Sequence, residues 1–355
     1  MENQREELVN NEFLETTFRP KEWVIQKIES MIETLLFDIA NKRPPVINSV
    51  SNKKRKEYHS RYDSKSGILR RKNNDLSNKQ IRFLSPKTSK TFAIMIRILD
   101  ICHELLVQNA TATKRDIYYK DVKLFGNPQT VDLIIDELAC LFRIPRSCLN
   151  VIASSKGLVA GSLKLFQNDR IVLDCLPTND QATFRYLLSS RMYKQLGPCI
   201  LITGKGYPDI ATRQLVKKLG DLRRPYETYP FLQILGFFDN DPYGIEILCV
   251  YKFGSSAKSF DNENLATPSI KWLGLRYSDR KKIPRSSLIR ITTADRKKAY
   301  HLLQRDYLQV KWRVEICRML YIGYKAEIQS LCDEENGNLL KYLKSKMRLL
   351  VTPLH

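Results

Sequence analysis

One stretch of the chain, Leu232 to Tyr251, most constrains how it can fold. It begins with a short apolar run, Leu232 to Phe238, which ends abruptly in two acids, Asp239 and Asp241. Such a run is typical of a buried parallel strand that delivers its carboxyl end to solvent. Because side chains alternate faces along a strand, the two carboxyl groups share a face, with Cα atoms roughly 6 to 7 Å apart.

The residues after this strand predict a helix. Asp241 is a suitable N-cap and Pro242 suits the first helical position, so the helix should run to about Gly254. Acids at a strand end beside a helix N-terminus favour a Mg²⁺ and phosphate site, because Mg²⁺ prefers one or two carboxylates plus phosphate oxygens. The competing interpretation is an ordinary polar turn, and an isolated Asp-x-Asp motif does not decide between the two.

The composition indicates a polyanionic partner inside the cell. At 355 residues, of which 43% are hydrophobic, the chain can form two or three domains with proper cores. Its formal net charge of +21 favours nucleic acid over a membrane surface. Eight scattered cysteines without a Cys-x-x-Cys pair indicate reduced intracellular thiols. There is no apolar run of about 20 residues and no signal-peptide core, so we expect no membrane association.

Residues 1–84 predict one helix followed by a basic linker. Apolar residues recur at helical spacing from 21 to 42, ahead of Pro44-Pro45. This amphipathic face can pack on the chain's own core or dock into a partner's groove. The linker carries Lys53-Lys-Arg-Lys56 and Arg70-Arg-Lys72. These clusters fit a nuclear address, a phosphate-binding arm or a solvated linker, and charge alone does not separate the three.

Residues 85–170 have the pattern of a winged helix. The three helical patterns are Phe92 to Val107, Thr113 to Leu124 and a stretch beginning at Asn127-Pro128. Thr113 and Asp116 predict a capping box at the start of the second helix. Two strand patterns around a turn follow, Leu149 to Ile152 and Leu158 to Leu165. Three helices plus a β-wing form a helix-turn-helix variant that presents its third helix to DNA.

Two residues of the second helix suggest chemistry. Arg115 and Tyr119 are four residues apart and therefore neighbour one another on the helix surface. A tyrosine phenol, with a pKa near ~10, is a weak nucleophile unless a cation stabilises its anion or binds the phosphate that it attacks. Tyr118 and Tyr119 are also compatible with ordinary core or interface aromatics.

Residues 171–355 predict a second domain in which strands and helices alternate. The strand patterns are Cys199 to Thr203, Leu232 to Phe238 and Ser269 to Leu275. Helices between them indicate a βαβ series with a parallel sheet. Gly204-Lys-Gly206 matches neither a Walker loop nor a dinucleotide fingerprint, because Ser or Thr does not follow the lysine and Asp209 stands where the fingerprint needs Gly.

Five motifs occur in one order between about residues 85 and 335. They are Thr-Lys-Arg-Asp-Ile-Tyr-Tyr, Ser-Ser-Lys-Gly-Leu-Val-Ala-Gly, Ile-Thr-Gly-Lys-Gly-Tyr-Pro-Asp, Asp-Asn-Asp-Pro-Tyr-Gly-Ile-Glu and Trp-Leu-Gly-Leu. Together they resemble the meiotic DNA double-strand-break transesterases, the eukaryotic relatives of the topoisomerase VI protein that carries the cleaving tyrosine. The resemblance implies an α/β protein in which a CAP-like winged-helix domain precedes a Toprim domain with a Rossmann-like parallel sheet.

The resemblance also assigns roles to individual residues. It makes Tyr119 the nucleophile and Arg115 its phosphate-binding helper, with Asp239 and Asp241 as ligands of Mg²⁺. The tyrosine oxygen would attack a phosphodiester of double-stranded DNA, expel the 3′-hydroxyl and leave a 5′-phosphotyrosyl link. Because one phosphodiester replaces another, the cut itself needs no external energy source.

Further expectations concern DNA contacts and partners. Lys156 and Lys205 are expected near DNA. In this family the tyrosine of one subunit works with the Toprim acids of another, which implies a homodimer or a heterotetramer with a topoisomerase VI B-like subunit. That subunit would hold the N-terminal helix. Accessory proteins of meiotic recombination and a location on chromosomes in the nucleus complete the expectation.

One departure from the family pattern leaves alternatives open. Where the family has a metal-binding Glu at the end of a Toprim strand, the stretch Leu176 to Phe184 carries Asn179, and the segment before it is short. Asp174 could substitute only if the strand is recruited from upstream. The alternatives to a DNA-cleaving enzyme are therefore a catalytically inactive DNA-binding form of the family and, against the evidence of Asp239-x-Asp241, a winged-helix transcription regulator.

Overall fold

The fold was obtained as a computed structural model, which describes residues 13–51, 60–71, 77–161, 163–167, 170–174, 184, 187, 199–222, 232–331 and 339–351. Contacts divide the chain into two compact units. The first contains residues 1–65, 69–154 and 255–264, and the second contains 66–68, 155–254 and 265–355. Residues 155–170 therefore fall in the second unit, whereas the expected domain boundary lies after residue 170. No helix in the described ranges is long and apolar enough to cross a membrane.

Four strands lie where the sequence predicted a linker. They are β1 (Val46–Ser51), β2 (Ser60–Asp63), β3 (Ile68–Arg71) and β4 (Ser77–Arg82). β1 and β4 pair antiparallel and β2 pairs with β3. Ile47 and Ile81, which are partners in the first ladder, are buried in the core of the first unit. The linker prediction was wrong here because each strand is short and mostly polar, and its partner is distant in sequence.

One of the two basic clusters contributes to this fold. The Arg70 guanidinium forms ion pairs with Asp63 at 3.3 Å, Glu15 at 3.3 Å and Glu263 at 2.6 Å. Arg70 therefore stabilises the first unit instead of forming a solvated or phosphate-binding arm. Lys53 to Lys56 and Lys72 lie outside the described residues.

The helices of the first unit largely confirm the sequence patterns. They are α1 (Lys21–Ala40), α2 (Ser89–Val107), α3 (Lys114–Lys120), α4 (Val122–Phe125) and α5 (Pro128–Phe142). The predicted second helix is divided at Asp121, which has non-helical dihedral angles and caps α4 by accepting a hydrogen bond from the Leu124 N–H at 3.1 Å. Asn127 caps α5, with Pro128 in its first turn as predicted. Apolar faces of α2 and α5 form most of the core.

The predicted wing is wrong in its pairing. β5 (Ala112–Thr113) pairs in parallel with β6 (Val151–Ile152). The second predicted wing strand is β7 (Leu158–Gly161), and it pairs antiparallel with β10 (Ile200–Thr203). β10 offers β7 a four-residue ladder where the hairpin would offer two residues, and local spacing cannot reveal that distant partner. A hairpin follows instead, between β8 (Lys164–Gln167) and β9 (Arg170–Asp174).

The second unit contains the βαβ elements that the sequence predicted. They are α6 (Ile210–Asp221), β11 (Leu235–Phe237), α7 (Pro242–Phe253) and β12 (Lys271–Gly274). β11 and β12 are parallel, as expected for strands joined by a helix. The unit continues with β13 (Ile289–Arg290), α8 (Thr293–Leu303), α9 (Val310–Ile322), β14 (Tyr324–Lys325) and α10 (Leu339–Val351). Its main apolar cluster includes Leu273, Leu275 and Tyr342, which places the core behind the carboxyl ends of β11 and β12.

We predict that the capping box of α3 supports the helix on which Tyr119 lies. The Thr113 hydroxyl accepts from the Asp116 N–H at 3.2 Å, and the Asp116 carboxylate accepts from the Thr113 N–H at 2.8 Å. Thr113→Ala should lower the free energy of unfolding of the first unit by about 1 kcal/mol, because it leaves an N–H of the first helical turn without its partner. Urea denaturation followed by circular dichroism measures this. Thr113→Ser is the matched control and should stay close to wild type; equal effects of both variants would refute the capping role.

Candidate active site

The exposed side of α3 carries the first group of candidate residues. Arg115 and Tyr119 are both exposed, and 70% of the Tyr119 side-chain surface is accessible. Their neighbour Ile117 is fully buried, which fixes the face of α3 that turns inward. Among the described residues Arg115 forms no ion pair, so its guanidinium is available to a ligand.

Tyr118 and Tyr119 occupy different environments. Tyr118 is half-buried and packs against the core of the first unit. The two rings meet edge to face, with centroids 5.4 Å apart. Burial therefore separates the tyrosine pair that the sequence left undivided, because only Tyr119 presents its phenol to solvent.

Ion pairs hold the ends of α3 in place. Lys114 lies 2.9 Å from Asp132 and Lys120 lies 2.8 Å from Glu104. Burial lowers the pKa of Lys114, although the nearby Asp136 carboxylate opposes this effect. These contacts join α3 to α5 and α2, so the helix that bears Tyr119 is supported from both sides.

The second group of candidate residues lies in the turn between β11 and α7. The Asp241 carboxylate caps α7 and accepts from the Gly244 N–H at 2.6 Å. Asp239 accepts from the Ile328 N–H at 2.7 Å. A Cβ atom on Gly244 would lie 2.3 Å from the Asp239 carbonyl oxygen, so this close approach requires glycine.

The electrostatics of this turn disfavour two bare carboxylates. Burial raises the pKa of Asp239 to about 6, the charges of Asp241 and Glu327 add to this, and the Ile328 N–H opposes it. Burial also raises the pKa of Asp241, against the Gly244 N–H and the charge of Lys325. Because both shifts penalise the ionised form, a cation bound between the carboxylates would relieve the cost of ionising them.

A segment distant in sequence completes this site. Asn240 and Ala326 exchange two backbone hydrogen bonds, of 2.8 and 3.2 Å. The Lys325 ammonium lies 3.1 and 3.2 Å from the two carboxylate oxygens of Asp295. The sequence analysis missed these residues. The Thr-x-x-Asp pattern at Thr292 could have revealed the capping box of Asp295, but nothing local indicates that Lys325 lies beside Asp241.

The two lysines expected near DNA are brought together. The Lys156 ammonium donates to the Lys205 carbonyl oxygen at 3.1 Å. The Asp209 carboxylate accepts from the N–H groups of Thr212 and Lys156, both at 2.7 Å, and of Gly157 at 3.2 Å. Burial would raise the pKa of Asp209, but these N–H groups outweigh burial and hold the pKa below its usual value. Asp209 thus fixes the turn before β7 against the N-terminus of α6.

A buried carboxylate ties α7 to its neighbours. Glu246 accepts from Lys298 at 2.7 Å and also pairs with Arg305 and with the Tyr207 hydroxyl. Burial would raise the pKa of Glu246, but these partners together lower it. Because Tyr207 belongs to the turn that also contains Lys205, this network fixes the turn, α7 and α8 in one arrangement.

Comparison with known proteins agrees with this geometry. The family model for the Toprim domain of Spo11 and the topoisomerase 6 A-type chain matches residues 175–347, and the model for type IIB DNA topoisomerase matches residues 90–151. The meiotic recombination protein SPO11 of Mus musculus is 36% identical over 92% of this chain and 87% of its own length. The human protein of that name is 35% identical over the same shares. The A-type chain of DNA topoisomerase 6 from Arabidopsis thaliana is 36% identical over 70% of this chain and 64% of its own length.

The chain belongs to the family of Spo11 and the A-type chains of topoisomerase VI. It is a homologue of SPO11 over most of its length, and its second unit contains a Toprim domain. The recognition drawn from the five motifs is thereby confirmed. Mixed α and β structure and the two domain types of the Spo11 family are confirmed as well.

Toprim domains typically bind Mg²⁺, and the acid pair fits that ion. Asp239 and Asp241 supply the hard oxygen ligands that Mg²⁺ prefers, and each carboxylate retains lone pairs beyond those used by backbone N–H groups. Across the described ranges, no group of three or more His, Cys, Asp or Glu side chains is placed to hold a metal ion. Asn179 lies outside the described residues, and Asp174 ends β9, so the missing Glu stays a prediction from the sequence.

We predict that Asp239 destabilises the metal-free fold at neutral pH. Its pKa of about 6 in the folded chain exceeds the usual 3.8, so stability present below pH ~4 is lost as pH rises through ~6. Asp239→Asn should therefore raise the melting temperature at pH ~8 by about 2 to 5 °C and leave it nearly unchanged at pH ~4. Scanning fluorimetry without metal, at both pH values, measures this. A variant that melts lower than wild type at pH ~8 would contradict the burial argument.

Proposed function

We propose that this protein cleaves double-stranded DNA by transesterification, with Tyr119 as the nucleophile, and so makes the double-strand breaks that begin meiotic recombination. The observation that carries the proposal is the exposure of Tyr119 one helical turn from Arg115, which has no ion-pair partner among the described residues. An attacking phenol must reach phosphorus, and a guanidinium with planar N–H donors suits the phosphate being attacked. The extent of the similarity to SPO11 supports the same function.

The reaction balances without a co-reactant. The Tyr119 oxygen forms a bond to phosphorus and loses its proton, the bond from phosphorus to the 3′-oxygen breaks, and that oxygen leaves as a hydroxyl. Arg115 holds the phosphate and offsets charge that develops on its oxygens. Mg²⁺ held by Asp239 and Asp241 would supply further stabilisation of phosphate charge. The product is a 5′-phosphotyrosyl link.

Lys156 and Lys205 serve as backbone contacts in this proposal. The two side chains belong to adjacent turns joined by the hydrogen bond from the Lys156 ammonium. That contact sets two positive charges close together without neutralising either, since the acceptor is a carbonyl group. Paired charges of this kind suit the phosphate backbone and carry no sequence preference.

The assembly follows from the family. We propose a nuclear protein that acts on chromosomes as a homodimer, or as a heterotetramer with a topoisomerase VI B-like subunit, together with accessory proteins of meiotic recombination. The Arabidopsis topoisomerase relative is itself named as one component of a larger enzyme. In this arrangement Tyr119 of one subunit reacts with a phosphate held by the Toprim acids of another.

A second candidate function is a DNA-binding form that does not cleave. The observation that favours it is Asn179, which stands where the family pattern has an acidic ligand. Two carboxylates hold Mg²⁺ more weakly than three, because each ligand charge adds to the affinity. Tyr119, Arg115 and the basic charge would remain in such a form.

We predict a covalent protein–DNA adduct that depends on Tyr119. The full chain with its B-like partner, supercoiled DNA and Mg²⁺ should yield DNA attached to protein, detected after denaturation and nuclease digestion. Tyr119→Phe removes the attacking oxygen and should reduce the adduct at least about 100-fold. Tyr118→Phe is the matched control and should retain most of it, because its ring packs inward.

The outcomes separate the two candidate functions. An adduct that persists in Tyr119→Phe and vanishes in Tyr118→Phe would transfer the nucleophile to Tyr118. Absence of any adduct from wild type, with normal binding to DNA, would establish the non-cleaving form and refute the enzyme.

We also predict that Lys156 contributes one phosphate contact. Lys156→Ala should weaken binding to duplex DNA severalfold, equally for unrelated sequences, and reduce the salt slope of the binding constant by about one. Fluorescence anisotropy at several salt concentrations measures both. Lys217→Ala is the control, since Lys217 lies on α6 in an ion pair with Asp221 at 2.9 Å. An unchanged salt slope for Lys156→Ala would remove this contact.

A further inference from the structure

Lys325 occupies an unusual position beside the acid pair. The paired backbone hydrogen bonds between Asn240 and Ala326 set β14 directly against the segment that carries both acids. The Lys325 side chain is only 17% exposed, so its charge acts through a medium of low polarity and not through bulk water. Neither the sequence motifs nor the proposed reaction assigns this lysine a role.

The Lys325 ammonium is held firmly in this position. Both carboxylate oxygens of Asp295 contact it, at 3.1 and 3.2 Å. Asp295 is in turn fixed by the capping box of α8, where its carboxylate accepts from the Thr292 N–H at 2.7 Å and the Thr292 hydroxyl at 2.8 Å. A cation anchored in this way cannot swing out to solvent when another cation approaches.

The charges around Lys325 have an uneven balance. Lys325 lowers the pKa of both Asp239 and Asp241, whereas Asp295 raises the pKa of Asp241 and Glu327 raises that of Asp239. The ammonium thus acts on both acids, although it is paired with a third. It partly compensates the acid pair in the absence of metal.

We propose that Lys325 is a built-in counter-cation of Asp239 and Asp241, and that its charge sets the Mg²⁺ concentration at which the pair binds metal. The inference rests on the proposed function in one respect, the assignment of the two acids as metal ligands. An anchored positive charge that stabilises bare carboxylates also repels an arriving divalent cation. Lys325 therefore keeps the acids ionised and spares the fold their repulsion, at the expense of weaker metal binding.

A purely structural role for Lys325 makes a different forecast. If the lysine only compensates the buried Asp295 carboxylate, its removal destabilises the fold and leaves metal affinity unchanged. If its charge acts on the acid pair, removal tightens metal binding. Metal affinity is therefore the discriminating quantity, and the melting temperature alone is not.

The test is titration of the full chain with Mn²⁺, counted by electron paramagnetic resonance of the free ion, with Mg²⁺ as competitor. Measurement at pH ~8 keeps both acids ionised in every variant. Binding to the double variant Asp239→Asn/Asp241→Asn is subtracted as background. Lys325→Met removes the charge, Lys325→Gln is a polar second variant should the first fail to fold, and Lys325→Arg retains the charge. Lys217→Met is the matched control, because it breaks a comparable Lys–Asp pair on α6.

Lys325→Met and Lys325→Gln should bind Mn²⁺ and Mg²⁺ about 5- to 10-fold more tightly than wild type, and more salt should narrow the difference. Lys325→Arg and Lys217→Met should match wild type. Unchanged or weaker binding in both neutral variants would overturn the counter-cation and leave the proposed function intact. If wild type binds no more metal than the double variant, the ligand assignment fails and the inference fails with it, whereas the Tyr119 adduct still tests the nucleophile separately.

Discussion

The closeness of Gly244 to the Asp239 carbonyl group is the constraint on which the rest of the second unit depends. With no Cβ at that position, α7 can begin directly after β11, and the chain turns within the few residues that carry both acids. Asp241 then serves as N-cap because its carboxylate lies at the free N–H groups of the first helical turn. The short turn also buries the acids, since strand, helix and the segment at Ile328 surround them. One steric requirement therefore determines the position, the hydrogen bonding and the raised pKa values of the pair.

Burial of this kind has a cost that the neighbouring groups reduce without removing. Backbone N–H groups stabilise the ionised form of both carboxylates, but the pKa of Asp239 still rises to about 6. Near neutral pH the metal-free turn thus holds charge in an unfavourable setting. Such a site gains more from a divalent cation than two solvated acids would, because the cation relieves a repulsion that already exists. Sites that bind metal often have this property, since free energy withheld in the empty state becomes available on binding.

Local patterns in the sequence predicted the elements that local chemistry determines. Thr113 with Asp116, Asn127 with Pro128, and Asp241 with Pro242 each place a helix start correctly, because a cap and its partner lie within one turn. Pairings between distant segments were not predictable in this way. The β1–β4 ladder joins residues as far apart as Val46 and Arg82, and β7 pairs with β10 instead of its sequence neighbour. The same limit applies to the candidate site: Tyr119 and Arg115 were found because they share one helical turn, whereas Lys325 reaches the acids only through tertiary structure.

The two groups of candidate residues differ in burial, and the difference fits their chemistry. A nucleophile must meet a large, stiff substrate, so an exposed phenol on a short, well-capped helix loses little by remaining in water. Among the described residues of the first unit, nothing around Tyr119 is arranged to deprotonate it, since Arg115 offers a charge but no base. Its activation must therefore come with the phosphate and with whatever cation the phosphate meets. The acids, by contrast, are useful only when partly desolvated, because water would screen the ion that they bind. With a phenol unable to react alone and acids that are costly when empty, cleavage waits for DNA, metal and the second protomer together.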